Sequence, residues 1–133
     1  MTNIIPFLLV VFHLANIVNG LQSPSTQCIH TTFPLINLVC PTGLLVSSIN
    51  FASYGNSYGF CPTSLSLGTC NSPYSTSVVS HLCLNQRVCS FSITNALFGG
   101  DPCPGTFKSI AVSLVCAYGT SSGFCVMSTF LYM

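Results

Sequence analysis

Three residues of this chain carry full charge at neutral pH: Arg87, Asp101 and Lys108. The single carboxylate and the single lysine stand seven positions apart, in and just after the loop Phe98-Gly99-Gly100-Asp101-Pro102-Cys103-Pro104-Gly105-Thr106. The chemistry open to this pair is recognition. Asp101 can accept two hydroxyl donors, and Lys108 can donate to a ring or hydroxyl oxygen. Gly105 lets backbone N–H groups approach a ligand closely. A few fixed polar groups beside an aromatic surface suit a sugar. By spacing alone, a structural ion pair that pins the loop is the stronger reading.

Counting residues removes other chemistries. Glycoside hydrolysis ordinarily needs two carboxylates, and this chain has one. A tight calcium site draws on several oxygen ligands, usually with more than one carboxylate. Zinc would have to use His30 and His81 with a thiolate or Asp101, at no recognisable ligand spacing. No G-x-S-x-G occurs, so no nucleophile elbow is suggested. The expectation is a protein that is not an enzyme, with no cofactor and no metal. A net charge of +1, without clustered Lys or Arg, offers no footprint for nucleic acid or an anionic membrane.

The elements that must position the pair can be read from patterning. Residues 4–12 form an apolar run that ends near Val18-Asn19-Gly20, which suits cleavage of a signal peptide spanning 1–20. The mature chain is then expected to be secreted, with no membrane span after cleavage. Secretion agrees with nine cysteines in 133 residues, because thiols pair in oxidising compartments and small domains use the bridges to supplement a thin core. The count is odd, and Cys125, beyond the last clear strand, is the candidate unpaired thiol; it offers a route to a disulfide-linked dimer. No C-x-x-C is present, so neither a zinc knuckle nor a redox pair is implied.

Short apolar or alternating segments predict strands at residues 36–39, 44–52, 88–94 and 107–116. In the second, Ile49 and Phe51 are expected on one face, with Ser48 and Asn50 on the other. In the last, Ile110, Val112, Leu114 and Cys116 face one way, and the small residues Ser109, Ala111 and Ser113 the other. Ser75 or Thr76 can cap a short helix whose stripe is Val78, Val79, Leu82 and Cys83. Residues 53–70 are loop-rich, with Gly55, Gly59, Pro62 and Gly68. This mixture predicts an α+β fold dominated by antiparallel sheet.

Taken in order, four motifs resemble a known family. They are Phe51-Ala52-Ser53-Tyr54-Gly55, then Gly68-Thr69-Cys70, then Cys83-x5-Cys89, and then residues 98–108 leading into the strand that ends at Cys116. This pattern is similar to the galactose/rhamnose-binding lectin domain of sea urchin egg lectin, found also in latrophilin receptors and at the C-terminus of plant β-galactosidases. The resemblance covers residues 28–116, leaving 21–27 as a linker and 117–133 as a C-terminal tail. It implies a small disulfide-rich antiparallel β-sandwich with short helices and long loops. Eight cysteines allow roughly a hundred pairings; the resemblance implies Cys28–Cys61, Cys40–Cys116, Cys70–Cys103 and Cys83–Cys89.

The family's pocket, carried over residue by residue, retains Tyr54, Asp101, Gly105 and Lys108. Two positions differ: Ile29 stands where the family has Glu, and Asn56 where it has Arg. The resemblance therefore implies a carbohydrate-binding site at Tyr54, Asn56, Asp101, Gly105 and Lys108, with galactose- or rhamnose-like glycans or glycoproteins as partners. The alternative is an extracellular protein-interaction module of the same fold with little sugar affinity.

Overall fold

A computed structural model describes residues 23–119. The expected signal peptide, Cys125 and most of the expected tail lie outside the described residues. The elements run β1 (Ser25–Thr31), β2 (Leu35–Val39), β3 (Leu45–Gly55), α1 (Ser75–Cys83), β4 (Val88–Ser92) and β5 (Ser109–Ala117). Every strand pairing is antiparallel. One sheet has the order β1-β5-β3, the other pairs β2 with β4. With four disulfides this is a small, disulfide-rich α+β fold.

The last strand in sequence is thus the centre of its sheet. Ile110, Val112, Leu114 and Cys116 are each fully buried, as the alternating pattern requires of a face turned to the core. Against them pack Ile36 and Leu38 from β2, Cys89 from β4, Val79 and Cys83 from α1, and Phe98 from the loop before the site. The two sheets and the helix therefore share one core.

Four features depart from the patterning. Residues 25–27 of the expected linker are strand: Ser25 pairs with Cys116 and Gln27 with Leu114. The segment Ser25–Thr31 mixes polar and apolar residues because it is a half-exposed edge strand. Ile49 and Phe51 do not share a face. A register shift between them places Ile49 opposite Leu114 and Phe51 opposite Ser113, since an inserted residue breaks the period of two. The second face of β5 is also covered, with Ala111 and Ser113 buried. The loop over it is held by Cys28–Cys61 and by a 3.3 Å hydrogen bond between His30 Nδ1 and the Gly59 carbonyl.

The fourth departure concerns the helix. Tyr74 occupies its cap position and makes no side-chain cap bond. The Ser75 hydroxyl is engaged elsewhere: it donates to the Ser72 carbonyl at 2.7 Å and accepts from the Tyr54 N–H at 2.9 Å. The serine that promised a cap instead ties α1 to the end of β3. One helix, of nine residues, is present among the described residues, and none there is long and apolar enough to cross a membrane.

Candidate functional site

The Gly/Pro-rich loop and the residues leading into β5 form the candidate site. Asp101 Oδ1 accepts from the Cys103 N–H at 3.0 Å and from Lys108 Nζ at 2.8 Å. The carboxylate thus closes a short turn around Pro102. Lys108 Nζ also donates to the carbonyls of Cys103, at 3.2 Å, and Thr106, at 2.9 Å. An ammonium has three donors, so all three are aimed into its own loop. Lys108 shapes the site rather than reaching out from it; its side chain is 15 % exposed, that of Asp101 32 %.

These bonds set the electrostatics. The Lys108 ammonium, and after it the Cys103 N–H, hold the Asp101 carboxyl below its ordinary value of 3.8, because both favour the charged form. Among the described residues, Asp101 Oδ2 takes no hydrogen bond, so an ionised acceptor is presented beside solvent. Gly105 has φ +80° with open space where a Cβ would stand, and only glycine adopts that backbone at little cost.

Tyr54 is placed differently from the expectation. It is 5 % exposed, and its ring stacks on Phe98 with centroids 4.6 Å apart. Its hydroxyl donates to Asn95 Oδ1 at 2.5 Å. Burial pushes the phenol above its ordinary 10.0; the Lys108 charge opposes this rise and that of Asp101 adds to it. Tyr54 is thus the buried floor next to the ion pair, with no free ring face for a sugar.

Asn56 is also committed. Its Oδ1 accepts from the Cys70 N–H at 2.8 Å, and its Nδ2 donates to Thr69 Oγ1 at 3.2 Å. It fastens the turn after β3 to Gly68-Thr69-Cys70, and Cys70–Cys103 fastens that segment to the Asp101 loop. Ile29 packs against the core beside β5. The structure therefore brings Tyr54, Asp101 and Lys108 together, leaves Asp101 and Gly105 open to solvent, and uses Tyr54, Asn56 and Lys108 as supports.

Patterning gave no notice of the exposed aromatics near this loop. Phe107, beside Lys108, is 78 % exposed, and Tyr74 is 55 % exposed. Tyr74 precedes the helix, and Phe107 opens the strand expected from residue 107 but lies before its observed start at Ser109, so no sequence signal separates them from core rings. Among the described residues, no three His, Cys, Asp or Glu side chains are grouped to hold a metal ion.

This fold, its four bridges and the pinned Asp-Pro-Cys-Pro-Gly loop define a lectin-type domain. Residues 38–116, more than half of the chain, match the D-galactoside/L-rhamnose binding SUEL lectin domain. The chain belongs to that family, a carbohydrate-binding module. Its relatives include β-galactosidase 7 of Oryza sativa subsp. japonica, 46 % identical over 83 residues. β-galactosidase 8 of Arabidopsis thaliana is 39 % identical over 87 residues. These matches cover 62 % and 65 % of this chain but 11 % and 10 % of the relatives. The chain spans about a tenth of the length of the curated relatives it matches.

Proposed function

We propose that this chain is a secreted, non-catalytic lectin that binds galactose- or rhamnose-like glycans without metal, through the Asp101 loop. The observation that carries this reading is the state of Asp101. One carboxylate oxygen is fixed by Lys108 and the Cys103 N–H, and the other is left to accept sugar hydroxyls on a side chain that is 32 % exposed. Charge-assisted hydrogen bonds of this kind are the stronger ones. Gly105 adds open backbone beside it, and Lys108 acts as a positioning residue. The catalytic name of the β-galactosidases belongs to proteins of which this chain matches a tenth, and one carboxylate does not make a hydrolytic pair.

A second reading has its own support. Ile29 brings no carboxylate, and the Asn56 side chain is bonded to Thr69 and Cys70. Losing one charge-assisted hydrogen bond costs roughly 1.5–3 kcal/mol, about 10- to 150-fold in affinity. A protein-interaction module that keeps the fold with little sugar affinity fits that loss.

The test is a glycan array probed with the oxidised chain, with and without chelator, alongside Asp101→Ala. The lectin reading expects chelator-resistant binding to galactose- or rhamnose-terminated glycans, lost in Asp101→Ala while the circular dichroism spectrum is unchanged. A blank array from a folded, disulfide-complete sample overturns it in favour of the protein partner.

A further inference from the structure

A sugar site needs an apolar surface beside its polar groups, and Tyr54, stacked on Phe98, does not provide one. We propose that Tyr74 is the aromatic platform of this site, the ring on which the apolar face of a pyranose rests while its hydroxyls reach Asp101. This rests on the lectin reading above and specifies how that site holds its sugar.

Gly99 stands two residues before Asp101. Gly99 has φ +82°, and a Cβ there would lie 2.5 Å from Tyr74 Cδ2 and 2.7 Å from Cε2. The ring therefore lies directly on the glycine backbone of the loop that carries the carboxylate, in space that any side chain would fill. Two residues extend at most about 7 Å, so the backbone under the ring and the backbone of Asp101 are no further apart than that.

The seat is rigid. The segment before Tyr74 is tied to the Asp101 loop twice, by Cys70–Cys103 and by the Ser72 hydroxyl donating to the Phe98 carbonyl at 2.6 Å. The Tyr74 N–H donates to Ser72 Oγ at 3.2 Å, and its carbonyl accepts from the Val78 N–H at 2.9 Å in the first turn of α1. A side chain with two torsions on a pinned backbone loses little freedom on binding. Yet more than half of its surface remains exposed. The ring is open to solvent on the loop that carries the ionised Asp101, and the electron-rich face of an aromatic ring attracts the polarised C–H edge of a sugar.

The sequence supplies the reporter, because the chain has no tryptophan. Tyr74→Trp places a single fluorophore at the site, and Phe60→Trp, at a ring 82 % exposed on the Cys28–Cys61 side, places one away from it. Each is titrated with methyl β-D-galactoside and with L-rhamnose. The expected result is an emission shift in Tyr74→Trp that saturates with sugar, and none in Phe60→Trp. In parallel, isothermal titration of Tyr74→Phe is expected to match wild type, and Tyr74→Ala and Tyr74→Leu to bind about tenfold more weakly. The leucine keeps apolar contact with Gly99, so full affinity in Tyr74→Leu would reduce the ring to loop packing and overturn the proposal. Unchanged affinity in Tyr74→Ala, with binding lost in Asp101→Ala, overturns the platform and leaves the lectin reading standing. Absence of any sugar binding by the wild type removes both.

Discussion

Asp101 is structural in the bonds it accepts from Lys108 and Cys103, and on the proposed lectin reading it also meets the sugar. Lys108 and the Cys103 N–H stabilise its charged form and hold its carboxyl below 3.8. A carboxylate with a depressed folded-state value contributes its stabilisation above the unfolded value, and the contribution is lost as pH falls through the folded one. Loop order and sugar binding are therefore expected to be flat from neutral pH down to about pH 4–5, and to fail below the ordinary carboxylate range. An NMR titration of the Asp101 carboxyl carbon should give a midpoint below 3.8. A midpoint at or above that value would mean the Lys108 pair is not formed in solution. Tyr54 makes the converse point at this scale: a Tyr beside a Gly in a family motif proves to be core, because its backbone lies on the buried face of β3 opposite Ile110.

At the scale of elements, β5 connects fold to site. It is bonded on both sides, by β1 and β3, and Lys108 immediately precedes it. Leu114, fully buried at its centre, touches both the edge-strand register and the shared core. Leu114→Ala is expected to cost about 2–5 kcal/mol, from lost burial plus the cavity left behind. Chemical denaturation checks this as a lower midpoint at unchanged slope. The remaining folded molecules should bind sugar with wild-type affinity, since Leu114 lies inside the core and the Asp101 loop has its own clamps. A parallel loss of affinity would show that the loop depends on the sheet rather than on Cys70–Cys103 and Ser72.

For the whole molecule, the bridges divide into two tasks. Cys40–Cys116 joins the end of β2 to β5 across 76 positions, linking the two sheets. In the chain-entropy picture, closing a loop of that length removes about 4 kcal/mol of freedom from the unfolded chain. The double variant Cys40→Ala/Cys116→Ala is expected to lose a comparable amount, seen as a fall of tens of degrees in a calorimetric scan. Cys70–Cys103 lies instead at the site, closing 33 positions and fixing the loop that carries Asp101 to the segment that carries Tyr74. A first bridge worth less than 1 kcal/mol would mean the shared core alone holds the sheets together.

Much of this was legible in the chain itself. The alternation Ile110, Val112, Leu114, Cys116 announced a core-facing strand, and the Asp-Pro-Cys-Pro-Gly segment announced the turn that Asp101 closes. Both are local: side-chain period and turn chemistry act within a few residues. What depends on contacts between distant segments was not legible. The bulge that separates Ile49 from Phe51, the edge strand at residues 25–31, and the cover over Ala111 and Ser113 arise only when β3, β1 and the Gly59 loop meet β5. The division of labour at the site belongs there too. The resemblance offered Tyr54, Asn56 and Lys108 as sugar contacts, and packing bonds their polar groups to Asn95, to Cys70 and Thr69, and to the loop's own carbonyls. A hydrogen-bonding group that the protein engages has fewer donors and acceptors left for a ligand, and only the tertiary structure decides which groups are engaged.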